Sequence, residues 1–182
     1  RVLKRKQITG MGGEWFRCTV NDVRAAVLAV KNHTANVENR VNSFSMRPEQ
    51  QKAVEKTDAY FQSAYEEDST RYPKFLWNCK MRFGKTFASY QLAKRMGFKR
   101  ILILTFKPAV VSAWQEDLNS HIDFEGWQFI SRNTELTYET ADKSRPIVCF
   151  GSFQDYLGVN KETGGIKAKN EWVHSTNWDL VI

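Results

Sequence analysis

Short runs of almost continuously apolar residues constrain the fold of this chain more than any other feature. Four such runs alternate with stretches of helical periodicity: RILILTF (100–106), WQFIS (127–131), PIVCFG (146–151) and WDLVI (178–182). Runs of this kind are typical of strands that are covered on both faces. The sequence therefore predicts an α/β fold with a mostly parallel sheet and helices on both of its faces.

Local signals predict where the helices begin and end. Thr19 and Asp22 form a capping pattern at the start of TVNDVRAAVLAVKNHT (19–34), in which every third or fourth residue is valine. Pro48 suits the first position of a second helix that runs to Glu67. Gly97 suits the end of a third helix, TFASYQLAKRM (86–96). We expect residues 1–44 to form a small helical appendage and residues 45–182 the main α/β unit.

The composition restricts the environment and the partners of the chain. No apolar run approaches the roughly 18 residues of a membrane span, so we expect a cytoplasmic protein with no membrane partner. Cys18, Cys79 and Cys149 lie far apart in the sequence, which favours a reducing compartment over a disulfide framework. With 27 basic and 20 acidic residues, the net charge is +7. A basic chain favours polyanionic partners such as nucleic acid, although a solvated basic surface is the simpler alternative.

The segment NCKMRFGKT (78–86) ends in the Gly-Lys-Thr of a phosphate-binding loop. A short apolar run, KFLWN (74–78), precedes it and is predicted to be a strand, while a helix follows; the loop requires this setting. Lys85 would reach the β- and γ-phosphates of ATP as the catalytic lysine, and the Thr86 hydroxyl would bind Mg²⁺. The predicted nucleotide-binding residues of the loop are Cys79, Lys80, Met81, Arg82, Phe83, Gly84, Lys85 and Thr86.

The loop departs from the usual pattern because Cys79 stands where a glycine normally begins it. Arg82 and Phe83 fill its middle, and non-glycine residues disfavour the left-handed backbone angles that such loops adopt. We expect either a conformation that Arg82 and Phe83 can adopt or weaker binding of nucleotide. The alternative is an ordinary capped helix with an exposed lysine.

The stretch MRPEQQKAV (46–54) resembles the segment that precedes the phosphate-binding loop in superfamily-two helicases and translocases of the DEAD/DEAH-like class. The resemblance implies that Gln50 reads the adenine edge, with Gln51 as the second candidate. CKMRFGKT is similar to motif I of that family, in the form found in restriction-type and phage-type members. The family resemblance covers residues 45–182, with its motifs in the expected order, and implies a RecA-like lobe.

Two further stretches resemble DNA-contacting motifs of the same family. ILILTFKPAVVSAWQEDL is similar to motif Ia, which implies that Lys107 and Pro108 touch the DNA backbone. IVCFGSFQDYL resembles a later motif, which places Ser152 at a second phosphate contact, although a helix-capping role would suit this serine equally well. Double-stranded DNA is the expected partner, and RNA remains an alternative.

NWDLVI (177–182) looks like the run that leads into the Asp-Glu-x-His box, and the sequence ends one residue before it. The resemblance thus implies an incomplete lobe that binds ATP without turning it over. GEWFRCTVNDVRAAVLAV, at the N-terminal end, looks like the tail of a GIY-YIG-type nuclease domain, which would be fused upstream. The expected function is that of an ATP-dependent DNA helicase or translocase, the motor of a restriction-type endonuclease. The alternatives are a phosphate-loop NTPase or kinase of another class and a non-enzymatic nucleic-acid-binding module.

Overall fold

A four-stranded sheet forms the centre of the chain in a computed structural model that describes residues 10, 15–106, 108–156 and 165–182. The strands are β1 (Arg100–Thr105), β2 (Gln128–Ile130), β3 (Ile147–Ser152) and β4 (Leu180–Val181). Their spatial order is β2-β3-β1-β4, and every pair is parallel. All four strands coincide with the apolar runs, so the predicted α/β class and parallel sheet are confirmed.

The carboxyl ends of the two central strands lie side by side. β1 and β3 pair over their whole lengths, from Arg100 opposite Ile147 to Thr105 opposite Ser152. Every residue of β3 is buried. The loops that follow Thr105 and Ser152 therefore leave the sheet side by side, which is where α/β proteins place their functional loops.

Six α-helices surround the sheet in the described part of the chain. They are α1 (Val20–Lys31), α2 (Pro48–Glu67), α3 (Lys85–Arg95), α4 (Val111–Ser120), α5 (Phe153–Tyr156) and α6 (Glu171–Ser175). The Thr19–Asp22 capping box is present at α1, Pro48 opens α2, and Gly97 has a left-handed φ of 68° just beyond α3. The predicted start and stop signals of these helices are thus confirmed.

Both faces of the sheet are covered. Ile101 and Ile103 of β1 belong to a cluster with the aromatic and apolar side chains of α2, α3 and α4, whereas Leu102 belongs to a second cluster with Val173 of α6. Alternate residues of a strand point to opposite faces, so β1 has helices on both sides.

The run KFLWN (74–78) does not form a strand. Residues 71–80 pair with no strand in the described part of the chain, although their burial alternates with a period of two. Phe75 and Trp77 point to the core, and Leu76 is 88% exposed. The segment is thus extended and packed on one face, but it lacks the backbone hydrogen bonds of a sheet.

The appendage contacts the main unit through buried polar groups. The guanidinium of Arg40, which is 2% exposed, donates to the carbonyl oxygens of Leu118 and His121 at the end of α4. The Asn36 side chain, also buried, donates to the carbonyl oxygen of Arg40 at 3.0 Å and so holds this segment in place.

Helix α1 packs through small side chains. Its alanines face inward, whereas Val23, Val27 and Val30, which share a face as their spacing predicts, are exposed. No helix among the described residues is long and apolar enough to span a bilayer.

Candidate phosphate-binding loop

The loop before α3 contains two residues with left-handed backbone angles. Arg82 and Gly84 adopt left-handed φ values of 63° and 77°, and Phe83 between them does not. Left-handed and right-handed residues that alternate turn successive N–H groups toward one concavity, the nest that binds phosphate. Arg82 thus adopts the conformation that its non-glycine side chain disfavours.

Two side chains from the start of α2 hold the carbonyl groups of the loop. The guanidinium of Arg47 donates to the carbonyl oxygen of Arg82 at 2.9 Å and also to that of Phe83. The side-chain amide of Gln50 donates to the carbonyl oxygen of Phe83 at 2.7 Å. The carbonyl groups of Arg82 and Phe83 are thus held by α2, and the backbone N–H of Phe83 donates to the carbonyl oxygen of Lys80 at 3.3 Å within the loop.

The start of α3 adds further donors. Its first amide groups, at Lys85 and Thr86, lack an intrahelical acceptor because no helical turn precedes them, and the positive end of the helix dipole lies at the same place. The Lys85 side chain is exposed and lines a large groove beside the sheet, and it has no ion-pair partner in the described part of the chain. These groups suit an anion.

Gly84 fits its position tightly. A Cβ atom there would come within 2.5 Å of the Gln50 side-chain nitrogen. The glycine is therefore required both by its φ and by the close approach of α2.

Gln50 is buried rather than exposed toward a base. Its amide nitrogen is bonded to the loop as described, and its amide oxygen accepts the backbone N–H of Arg47 at 2.8 Å. Gln51 is exposed and donates to Glu55 at 2.9 Å. The role of Gln50 in reading adenine stays a prediction, and the structure adds to it a role in positioning the loop.

The rest of the loop differs in exposure. Cys79 and Phe83 are half-buried, whereas Lys80, Met81 and Arg82 project into solvent. Phe83 packs against the ring of Trp77, at 6.3 Å between centroids. Backbone groups and Lys85, rather than the other side chains, are thus the means by which this loop would hold a phosphate.

The fit to Mg²⁺ rests on Thr86 alone. Its hydroxyl is half-buried at the start of α3, and no cluster of three or more acidic, histidine or cysteine residues suited to a metal occurs among the residues described. A magnesium ion at this position would take the Thr86 oxygen together with oxygens of the nucleotide phosphates.

The predicted DNA contacts are less well defined. Lys107 lies outside the described residues, and Pro108 begins a 3-10 turn that leads into α4. Ser152 is buried, and its hydroxyl donates to the carboxylate of Asp155 at 2.7 Å. The hydroxyl also accepts the backbone N–H of Asp155, so Ser152 is a helix cap, and a phosphate contact would require Asp155 to release it.

The Asp155 carboxylate is charged under ordinary conditions. Burial opposes its ionisation, but the hydrogen bonds from Ser152 and the nearby Arg132 outweigh burial and hold the pKa of Asp155 below its usual value. A negative charge beside Ser152 disfavours a phosphate at this strand end.

The sequence motifs predicted most residues of this candidate site, but they did not indicate a role for Arg47. The only available signal was its place in the Arg-Pro-Glu-Gln stretch at residues 47–50. Its partners lie 35 and 36 positions further along the chain, so local sequence does not reveal them.

Comparison with known proteins relates the chain to a restriction enzyme. It is similar to a Mycoplasma pneumoniae (strain M129) protein provisionally named as the C-terminus of a type II restriction enzyme and methyltransferase. The sequences are 37% identical over 145 residues, which cover 76% of this chain but only 19% of the relative. The chain thus spans about a fifth of the length of that protein. No protein-family model and no solved structure matches it.

Proposed function

We propose that this chain is the ATP-binding, RecA-like part of an ATP-dependent DNA translocase or helicase that serves a restriction system. The observation that carries the proposal is the alternation of left-handed residues at Arg82 and Gly84 directly before α3. Because the Phe83 N–H is bonded to the Lys80 carbonyl, the N–H groups of Gly84, Lys85 and Thr86 are the ones that would bind the anion, and the Lys85 side chain adds a positive charge.

ATP suits the loop better than a single phosphate does. The amide groups would hold the β-phosphate while Lys85 neutralises the γ-phosphate, and Mg²⁺ would join the Thr86 hydroxyl to phosphate oxygens. Arg47 and Gln50 would act as positioning residues, because they fix the carbonyl side of the loop and contact no phosphate themselves.

A DNA motor accounts for more of the observations than a small-molecule kinase does. The loops after Thr105 and Ser152 leave the sheet at one edge, the chain carries a net charge of +7, and its relative is named as a restriction enzyme and methyltransferase. In the proposed mechanism, nucleotide binding beside α3 alters the position of this lobe on double-stranded DNA. Lys107 would supply a contact to the DNA backbone.

We expect hydrolysis of ATP to require more than the residues of the loop. Hydrolysis of a phosphoanhydride requires carboxylates that position the metal and the attacking water. The family resemblance assigns that role to carboxylates outside the loop.

Titration with a fluorescent ATP analogue in the presence of Mg²⁺ tests the proposal. Lys85→Ala should weaken binding at least about tenfold, which corresponds to about 1.4 kcal/mol. Lys56→Ala is the matched control, because it removes the same charge from an exposed lysine of α2 that lies outside the loop. Equal affinities for wild type and Lys85→Ala would contradict nucleotide binding at this loop.

A further inference from the structure

One face of helix α1 carries a row of exposed valines. The valine row consists of Val20, Val23, Val27 and Val30, whose exposed fractions lie between 43% and 69%. Their spacing is the a/d pattern of a helix that packs against another helix. Valine is a poor choice for an exposed helix position, because its branched side chain loses rotamer freedom there and gains no contact. The row therefore indicates a surface on which another element packs.

The valine row does not turn inward, because the opposite face of α1 is already held. Ala25, Ala26 and Ala29 are buried on that face. The side-chain amide of Asn36 donates to the carbonyl oxygen of Ala25 at 2.9 Å, and its oxygen accepts the backbone N–H of Arg40 at 2.9 Å. Helix α1 thus presents the valine row to solvent as a fixed surface.

Positive charge follows one side of the valine row. Arg24 and Lys31 are exposed and occupy the e position of successive heptads, which places them beside the row. Neither has an ion-pair partner among the residues that the structure describes. Residues at e face charged residues of a partner helix across the apolar seam. This basic flank therefore favours a partner with acidic residues at the facing positions.

We propose that the valine row is the docking surface for an amphipathic helix with apolar residues at a and d and Glu or Asp beside them. The helix is supplied by the longer polypeptide to which such a chain belongs. Helix α1 has only 12 residues, so the contact is too small for a stable complex between separate proteins. A tethered helix suits such a surface, because linkage gives it an effective concentration in the millimolar range.

The relative supports a tethered partner. The matched region makes up only 19% of the Mycoplasma pneumoniae protein, so similar sequences occur within a much longer chain. A second copy of this chain suits the surface less well, because it would bring another basic flank and another net charge of +7. A membrane surface also suits it less well, because interfacial helices reach the acyl chains with Trp, Phe and Leu. The inference is independent of nucleotide binding, since α1 shares no residue with the loop.

Titration of the chain with two synthetic helical peptides tests the inference. Both peptides have about 21 residues with Ile and Leu at a and d, and they differ only in having Glu or Lys at every e and g position. The like charges within each peptide oppose its self-association. Binding is followed by NMR shifts of the valine methyl groups, with peptide up to about 2 mM because a tethered partner needs only weak affinity.

The expected result is a preference set by the basic flank. The unmodified chain should bind the Glu peptide at least about tenfold more tightly than the Lys peptide. In the double variant Arg24→Glu/Lys31→Glu this preference should reverse. Lys52→Glu/Lys56→Glu on α2 is the matched control, because it changes the net charge equally at exposed positions and should keep the preference for Glu. Val27→Ser removes an exposed apolar side chain without disturbing the core, and it should weaken binding of both peptides.

Four outcomes would overturn the inference. The first is the absence of valine shifts with either peptide over the whole titration. The second is an equal change of preference in the two double variants, which would assign the effect to overall charge. The third is dimerisation of the unmodified chain that Val27→Ser abolishes, which would assign the row to a second copy. The fourth is binding to phosphatidylserine vesicles that Val27→Ser abolishes, which would assign it to a membrane.

Discussion

The side-chain amide of Gln50 occupies the space that a Cβ atom on Gly84 would need. The distance from that hypothetical atom to the Gln50 nitrogen is 2.5 Å. Helix α2 therefore contacts the candidate phosphate-binding loop at Gly84, where any side chain would push the two apart, and we expect loop and helix to move together.

Replacement of this glycine should affect both stability and nucleotide binding. In Gly84→Ala the left-handed φ of 77° should cost about 1–2 kcal/mol of unfolding free energy, and displacement of Gln50 should add to it. We expect nucleotide affinity to fall at least about tenfold. Urea unfolding and ATP-analogue titration measure the two effects.

Gly97→Ala is the control for the cost of the left-handed backbone angle. Gly97 has a similar φ of 68°, but a Cβ atom there would meet nothing within 4 Å. The Gly97→Ala variant should therefore lose the same 1–2 kcal/mol of unfolding free energy, about the cost of the left-handed angle. Its nucleotide affinity should be unchanged. Equal effects of the two substitutions on binding would show that contact with Gln50 does not matter.

Loss of the buried guanidinium of Arg40 should lower the free energy of unfolding. Arg40→Met leaves the carbonyl oxygens of Leu118 and His121 without these donors and removes the ion pair with Glu38, so unfolding free energy should fall by about 3 kcal/mol. Arg145→Met is the control, because Arg145 contacts the same carboxylate at 3.4 Å but is 44% exposed. Its effect should stay within about 0.5 kcal/mol, and equal losses would refute the importance of burial.

The stability of the chain should depend on pH through His121. Burial lowers the pKa of this histidine, and the neighbouring Asp123 carboxylate offsets that effect only in part. The unfolded state therefore binds a proton more readily than the folded state does. Stability should be complete above the unfolded pKa of about 6.5 and decline as pH falls below it.

Urea unfolding between pH 7.5 and 5 would reveal this slope, over roughly the range in which an unfolded histidine becomes protonated. His121→Gln should flatten the slope. Carboxylates with a lowered pKa, such as Asp123, affect stability mainly below this range. An unaltered slope in His121→Gln would assign the pH dependence to other groups.

DNA binding is predicted to be independent of sequence and sensitive to salt. Lys107→Ala should weaken binding to any duplex and reduce the slope of log affinity against log salt by about 1, since one phosphate contact is lost. Lys56→Ala removes the same charge from α2 and should have little effect. Fluorescence anisotropy over a series of salt concentrations measures both, and identical slopes would remove Lys107 from the interface.

The sheet was predictable because its strands are buried on both faces. β1 and β3 appear in the sequence as unbroken apolar runs, which few other structures require. KFLWN failed as a strand because its pattern reports only that Phe75 and Trp77 face the core. Pairing also requires a neighbour, and the local sequence does not specify one.

Buried polar contacts were the least predictable part of the molecule. The stretch NVENRVNSF (36–44) looks like a polar junction, yet Asn36 and Arg40 within it are buried. Arg40 reaches a carbonyl group 78 positions away. Helix α6 was missed for a similar reason, because its five residues are held by packing of Val173 against the sheet rather than by helical periodicity.

The place of Arg40 also bears on how the chain can be divided for expression. A fragment that begins at residue 45, the boundary suggested by sequence, would lack this guanidinium and the backbone N–H groups of Val41 and Asn42 that bond to Ser120. The end of α4 would then present bare carbonyl groups to a partly apolar surface. A fragment that begins before Thr19 retains every one of these donors and is the better starting point for crystallisation.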